Sequence, residues 1–131
     1  KNKKLILPVD VLVKSGNKLM NREIDKVKKD EFILDIGDKS VALLKSYIKN
    51  SRLILWNGPL GKSEVLNGGS TKKVLKIIAV AKADSIIGGG DTVEVISELK
   101  MENKFTFVST GGGATLDFLA NGTLPGIKAL K

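Results

Sequence analysis

The chain has 131 residues, enough for one modest hydrophobic core and too few for two domains of ordinary size. It contains neither cysteine nor histidine, which excludes disulfides, thiolate metal sites and histidine acid–base catalysis. The formal net charge of +8 comes almost entirely from lysines spread along the chain, a distribution that argues against a dedicated nucleic-acid surface.

The first third of the chain predicts two strands and one helix. Its first apolar run is far shorter than the roughly 20 residues that cross a bilayer, and the proline within it predicts a strand at a sheet edge or bulge. Apolar residues at helical spacing predict a helix before residue 50. The elements are a strand over Leu5–Val13, a turn at Ser15–Asn17, a strand over Glu31–Ile36 and a helix from Asp38 or Lys39 to about Lys49.

From residue 52 onward, predicted strands and helices alternate. This pattern predicts βαβ units and a parallel sheet, with ligands at the carboxyl ends of the strands. Three glycine-rich loops, 57–64, 88–90 and 111–113, each follow a strand directly, so we expect them at one edge of the sheet. Glycines and a proline after residue 121 predict an irregular tail. The strands are 52–56, 83–87 and 104–109, and the helices are 70–82, 91–100 and 114–120.

Two of these loops are glycine triplets, Gly88–Gly90 in IIGGGDT and Gly111–Gly113 in VSTGGGAT. A strand that stops in glycines and restarts as a helix presents unpaired N–H groups at the positive end of the helix dipole, which favours phosphate or carboxylate. The alternative is a pair of tight turns without a ligand. Neither triplet completes the dinucleotide fingerprint, because Val93 and Leu116 stand where its third glycine belongs.

The segment WNGPLGKS, Trp56–Ser63, ends like a phosphate-binding P-loop. The first glycine of that motif would fall on Trp56, and Pro59 removes one of the amides that would hold the phosphate. We therefore interpret the match at Gly61–Ser63 as a coincidence. Trp56 itself is interpreted as a core residue.

Asp91, directly after the first triplet, has two interpretations. Its carboxylate could help to hold Mg²⁺, which proteins usually bind through one or two carboxylates together with substrate phosphates. Alternatively it is a helix N-cap, supported by Glu94 three positions later as in a capping box, and the residue types alone favour the cap. Thr92 and Thr115 could each donate a hydroxyl to phosphate or be ordinary first-turn residues.

Taken together, six segments in order along the chain resemble phosphoglycerate kinase. The combination of WNGP-x-G-x-x-E with GGGDT and STGGGA is highly specific for that family. The resemblance implies a doubly wound, Rossmann-like α/β fold with a parallel sheet. It also implies that residues 1–131 are part of the C-terminal, nucleotide-binding lobe of a two-lobe kinase, with the N-terminal lobe and the start of the C-terminal lobe absent. The segments are LPVD (Leu7–Asp10), LDIGDKS (Leu34–Ser40), WNGPLGKSE (Trp56–Glu64), IIGGGDT (Ile86–Thr92), STGGGAT (Ser109–Thr115) and LPGIKAL (Leu124–Leu130).

The same resemblance implies glycolytic phosphoryl transfer from 1,3-bisphosphoglycerate to Mg·ADP, giving 3-phosphoglycerate and ATP, in a monomeric cytoplasmic enzyme without nucleic-acid or membrane partners. Mg²⁺ with ADP or ATP would bind here, phosphoglycerate would come from the missing N-terminal lobe, and this chain alone would be inactive. A non-catalytic anion- or nucleotide-binding module is the alternative. Matched by motif, the catalytic residues would be Gly111, Gly112 and Gly113, the nucleotide-binding residues Asn57, Gly58, Leu60, Glu64, Gly89, Gly90, Asp91 and Thr92, and the metal ligand Asp91.

Overall fold

The computed structural model describes residues 4–62, 66–67 and 69–130. None of the helices in these ranges has the length and hydropathy that a bilayer crossing requires. Single 3-10 turns occur at Ile24–Lys26 and Glu102–Lys104. The strands are β1 Asp10–Ser15, β2 Lys18–Glu23, β3 Phe32–Ile36, β4 Leu53–Asn57, β5 Asp84–Gly88 and β6 Phe107–Ser109, and the helices are α1 Asp38–Asn50, α2 Gly69–Ile78, α3 Gly90–Glu98, α4 Gly113–Asn121 and α5 Pro125–Ala129.

The strands in the described residues form two separate sheets of three. The second sheet has the order β4-β5-β6 and is parallel throughout, as the alternation after residue 52 predicts. Neighbouring strands joined through α2 and α3 are what successive βαβ units produce. The first sheet has the order β2-β1-β3 and is antiparallel, so the prediction of a parallel sheet is correct only for the later part of the chain.

The strand β2 is missing from the sequence prediction although its turn is correctly placed. Gly16 adopts a φ of 56°, which lets the chain reverse between the paired residues Ser15 and Lys18. The β2 sequence KLMNRE is polar, and its side chains are exposed or half-buried at the edge of the sheet. A strand with so little buried surface carries no clear apolar alternation, so periodicity does not reveal it.

The first predicted strand, Leu5–Val13, is displaced in the structure, where β1 begins only at Asp10. Pro8 has no N–H group to give to a ladder. The amides of Val9 and Asp10 both donate to the hydroxyl of Ser40 in α1, at 2.9 and 3.1 Å. The segment before β1 is therefore attached to a helix and not to a neighbouring strand.

The larger of the other differences from the sequence prediction lie in α2, β6 and the tail. The helix α2 ends at Ile78, four residues before the predicted end. The strand β6 is limited to Phe107–Ser109. Just before it, the Ser85 amide donates to the Thr106 hydroxyl at 3.0 Å, which takes the place of a backbone hydrogen bond between the strands. The predicted irregular tail contains the one-turn helix α5, which Pro125 starts with its fixed φ at the first helical position.

One hydrophobic core lies between the parallel sheet and the three helices α1, α2 and α3. The apolar face that the sequence predicts for α2 is buried in it, with Leu75 fully buried. In β4, Ile54 and Trp56 are half-buried and pack against this core, whereas the alternate residues are exposed. The buried members are Val41, Ile48, Val74, Leu75, Ile78, Ile87, Val95, Ile96 and Phe105.

The outer face of the parallel sheet is only partly covered. The helix α4 lies on this side, where it and the sheet line an open apolar cleft of about 420 Å³. Helices on both faces agree with the doubly wound fold class. Leu53 and Leu55 in β4 stay 61% and 48% exposed, and Phe107, which lines the cleft, stays 57% exposed, so the sheet presents an apolar surface to solvent.

Candidate functional site

The three glycine-rich loops begin side by side at one edge of the parallel sheet. Asn57 at the end of β4 pairs with Gly88 at the end of β5, and Gly88 pairs with Ser109 at the end of β6. The amide of Gly58 also donates to the carbonyl of Gly88 at 3.1 Å. This geometry confirms the prediction that the loops share the carboxyl edge of the sheet.

Close contact between two loops explains two glycines of the first triplet. A Cβ on Gly88 would lie 2.8 Å from Oδ1 of Asn57, and a Cβ on Gly89 would lie 2.6 Å from the amide nitrogen of Gly58. Gly89 also has a φ of 92°, which side chains rarely adopt. Gly90 differs, because a Cβ there would meet nothing within 4 Å. Packing alone therefore does not require Gly90 to be a glycine.

Asp91 is not the N-cap of α3, and the capping interpretation is wrong. The N-cap is Gly89, without a side-chain hydrogen bond, and the helix begins at Gly90. Gly89, with a φ of 92°, takes the cap position two residues before the acid, so Asp91 lies within the first turn of the helix. Its carboxylate is exposed and, within the described residues, has neither a hydrogen bond nor an ion pair.

Thr92, the next residue of α3, carries an orphaned polar atom. The residue is completely buried, and its Oγ1 has no hydrogen-bond partner in the described part of the chain. Such an atom costs about 1–3 kcal/mol unless a ligand or an ordered water pairs with it. The first amides of α3, which have no acceptor inside the helix, belong to the same turn. An exposed free carboxylate, an unpaired hydroxyl and free amides thus meet in one turn.

The second triplet is braced by hydroxyl groups. The hydroxyls of Ser109 and Thr115 lie 2.5 Å apart, and the Gly111 amide donates to Ser109 Oγ at 3.1 Å. Gly112, with a φ of 50°, is the N-cap of α4, which begins at Gly113. The Thr115 hydroxyl is thus bonded within the loop, which favours its interpretation as an ordinary first-turn residue over that of a phosphate donor. A Cβ on Gly112 or Gly113 would meet nothing within 4 Å, so that side of the loop faces open space.

The first loop is fixed by its own backbone amides. The Leu60 amide donates to Thr71 Oγ1 at 3.0 Å, and the Lys62 amide donates to the Leu34 carbonyl at 2.8 Å. Neither amide is free for a phosphate, which supports reading the P-loop match as a coincidence. The Trp56 indole N–H donates to the Gly58 carbonyl at 2.5 Å, so this half-buried side chain also supports the loop.

The structure places most of the motif-matched residues at this edge. Glu64 lies outside the described residues. Sequence reasoning missed Asp35, which is buried beneath the first loop, and gave it no role within LDIGDKS. An acidic residue inside an otherwise apolar strand was the available signal. At the edge lie Asn57 and Gly58 after β4, Gly89, Gly90, Asp91 and Thr92 at the start of α3, and Gly111, Gly112 and Gly113 at the start of α4, with Leu60 half-buried further along the first loop.

Within the described residues, the site contains no preformed metal cage. No group of three or more acidic side chains in the described ranges lies close enough to hold a metal ion. A single free carboxylate at a helix N-terminus fits Mg²⁺, which proteins often bind through one or two carboxylates and the phosphates of a substrate. Asp91 therefore fits a shared magnesium site better than a dedicated one.

Comparison with known proteins identifies the family. The family model described as phosphoglycerate kinase matches residues 1–122. The chain belongs to the phosphoglycerate kinase family. The phosphoglycerate kinase of Syntrophobacter fumaroxidans is 42% identical over 137 aligned positions, which cover 100% of this chain and 34% of that protein. The Fusobacterium nucleatum enzyme is 41% identical and covers 98% and 34%. The chain thus spans about a third of the length of these curated relatives.

Solved phosphoglycerate kinase structures share the fold. The Coxiella burnetii structure superposes with a TM-score of 0.83 at 35% identity, covering 94% of this chain and 33% of that one. The Pyrococcus horikoshii structure gives 0.79 at 31% identity, covering 94% and 31%. These matches confirm the resemblance and the α/β fold class drawn from the sequence.

Proposed function

We propose that this chain supplies the nucleotide half of a phosphoglycerate kinase active site. Residues 1–131 would then belong to the C-terminal lobe, and the phosphoglycerate side would come from the N-terminal lobe. The whole enzyme would reversibly transfer a phosphoryl group from 1,3-bisphosphoglycerate to Mg·ADP, as a cytoplasmic, monomeric enzyme of glycolysis. The observation that carries the proposal is the first turn of α3, where the free Asp91 carboxylate, the unpaired Thr92 hydroxyl and unpaired amides occur together.

In this proposal α3 binds the nucleotide phosphates. Its first amides and Thr92 would donate to phosphate oxygens, assisted by the positive end of the helix dipole. Gly90 would allow close approach, because no protein atom lies over its backbone. Asp91 would hold the magnesium, and bound Mg²⁺ would supply neutralisation of the phosphate charge. Asn57, Gly58, Leu60 and Glu64 would line the nucleoside side, with Glu64 accepting from the ribose hydroxyls.

The second triplet would serve the phosphoryl group that moves. The loop Gly111–Gly113 lies one strand away from the first triplet and is held in shape by the Ser109–Thr115 hydrogen bond. The amides of Gly112 and Gly113, at the N-terminus of α4, would donate to the oxygens of the transferring group, whereas the Gly111 amide is bonded to Ser109 Oγ. Phosphoryl transfer depends mainly on positioning and charge stabilisation. A chain without histidine or cysteine is therefore suited to this chemistry.

Calorimetric titration with ADP, in the presence of Mg²⁺ and in EDTA, tests the nucleotide site. We expect tighter binding with Mg²⁺, and we expect Asp91→Ala to remove that difference. Asp117→Ala, which deletes an exposed carboxylate from α4, is the matched control and should keep the difference. Binding that does not depend on Mg²⁺ or on Asp91 would contradict the kinase-type site and favour a non-catalytic nucleotide-binding module.

A coupled ATP assay tests the catalytic part of the proposal. The chain alone should show no turnover. A chimaera in which residues 1–122 replace the matching third of the Syntrophobacter fumaroxidans enzyme should regain activity, and Asp91→Ala should abolish it there. Full activity of the 131-residue chain alone, or an inactive but folded chimaera that still binds Mg·ADP, would count against the assignment.

A further inference from the structure

We propose that Asp35 is a positioning residue for the nucleotide loop, Asn57–Lys62. The buried Asp35 carboxylate joins the end of β3 to the start of α2, and the loop backbone lies directly on it. This inference rests on the nucleotide-binding function proposed above. It adds a residue that makes no contact with nucleotide and acts through the loop.

The Asp35 carboxylate accepts three hydrogen bonds. The residue is 5% exposed. Its Oδ2 accepts from the Ser70 amide at 2.8 Å, and its Oδ1 accepts from the Ile36 amide at 2.8 Å and from the Ser70 hydroxyl. These described partners are all neutral, so the charge is stabilised by hydrogen bonds and by the positive end of α2 rather than by a cation. Removing the charge weakens several bonds at once.

The loop is shaped to fit over this carboxylate. A Cβ on Gly61 would overlap the Asp35 carboxylate and would lie 2.6 Å from the Leu34 carbonyl oxygen. A Cβ on Gly69, at the start of α2, would overlap the same carboxylate. The amide of Lys62 donates to the Leu34 carbonyl at 2.8 Å. The backbone at Gly61 is therefore held against the end of β3.

The other side of the loop is held through α2. Thr71 follows Ser70 directly and is 1% exposed. Its Oγ1 accepts from the Leu60 amide at 3.0 Å. Asp35 fixes the start of α2 through Ser70, and α2 fixes Leu60, one residue before Gly61. The loop is thus fixed on both sides of Gly61. The Leu60 bond depends on Asp35 through α2, and the Lys62 bond is made to the backbone carbonyl of Leu34, the residue next to Asp35.

Asp10 provides a matched control within the same chain. It is 2% exposed and caps α1 as Asp35 caps α2, accepting from the Lys39 amide at 3.0 Å and from the Ser40 amide and hydroxyl, both at 2.7 Å. All of these donors belong to α1, not to the nucleotide loop. Asp10→Asn and Asp35→Asn therefore make the same chemical change at two buried helix caps, and only the second reaches the loop.

The experiment compares these two variants in the full chain, below 15 °C to keep both folded. The first readout is the dissociation constant for Mg·ADP, and the second is the unfolding midpoint in urea. The third is the emission of Trp56, the single tryptophan, whose N–H donates to the loop carbonyl of Gly58. Both variants should lower the midpoint. Only Asp35→Asn should weaken Mg·ADP binding, by about tenfold or more, and only it should shift the Trp56 emission.

Ser70→Ala keeps the proposal testable if Asp35→Asn does not fold. It removes one hydroxyl donor and leaves the Ser70 amide bond in place, so we expect a smaller loss of about threefold in Mg·ADP affinity. If the unaltered chain binds no Mg·ADP, the proposed function and this inference both fail. If it binds, and Asp35→Asn and Ser70→Ala bind as tightly as Asp10→Asn, only the positioning role of Asp35 is refuted.

Discussion

Replacing Gly89 by alanine should separate the folding requirement of the site from its binding requirement. Gly89 combines a φ of 92° with direct contact between two loops, because its Cβ would lie 2.6 Å from the Gly58 nitrogen and 3.0 Å from the Gly58 Cα. Both contacts are with backbone, so no flexible side chain can move aside. The variant must strain residue 89 and push the loops apart.

The expected loss of stability follows from these two effects. Holding a side chain in such a backbone conformation costs about 1–3 kcal/mol, and overpacking a close contact costs about 1–3 kcal/mol more. A total of about 2–6 kcal/mol is a large share of the roughly 5–15 kcal/mol that stabilises an ordinary domain. Urea unfolding followed by circular dichroism should show the midpoint of Gly89→Ala falling by about 1 M or more.

Gly90→Ala is the matched comparison one residue later. Its Cβ would meet no protein atom within 4 Å, and its φ is not in the positive range. Alanine should therefore leave stability unchanged or raise it by about 0.4–1 kcal/mol. The added methyl would occupy the side from which phosphate is proposed to approach, so Mg·ADP binding should weaken. An unchanged midpoint for Gly89→Ala would refute the loop contact, and unchanged affinity for Gly90→Ala would refute the phosphate position.

Two other predictions concern charge and the open sheet face. The Lys26 and Lys39 ammonium groups hold the pKa of Glu23 at about 2, below its usual 4.5. The ion pairs therefore stabilise the folded chain above pH 4.5, and this stabilisation is lost as the pH falls toward 2. The difference in urea midpoint between the unaltered chain and Glu23→Gln should shrink over that range. A difference that stays constant with pH would contradict the prediction. The exposed apolar sheet face should bind the dye ANS, and Leu55→Lys should reduce the fluorescence; undiminished fluorescence would place the dye elsewhere.

How well the sequence predicts each region depends on how strongly that region buries its residues. The helix α2 is predicted because Val74, Leu75 and Ile78 all face one core. The alignment of Asn57, Gly88 and Ser109 follows from the rule that parallel strands end at a common edge. The edge strand β2 lacks such a pattern, because its polar residues satisfy a ladder without a buried face.

The site residues that sequence reasoning misplaced depend on backbone conformation. Asp91 fits a capping box by residue type, but Gly89, with its positive φ, takes the cap position two residues earlier. Asp35 was missed for a related reason. Its importance comes from contacts with Gly61 and Ser70, which lie 26 and 35 positions away in the chain. Neither a positive φ nor a long-range contact is visible in local residue patterns.

In both glycine triplets the middle glycine is the N-cap and the third glycine begins a helix, but the side chains beside the two triplets differ. After the first triplet stands Asp91, exposed and without a partner in the described residues, while the second is followed by Ala114 and is braced by neutral hydroxyls. A carboxylate beside the first triplet would repel a bare phosphate and requires a cation to share it. The second has no such charge, so the Gly112 and Gly113 amides can meet an anion directly. This difference accounts for the proposed division, with metal-bound nucleotide phosphates at α3 and the moving phosphoryl group at α4.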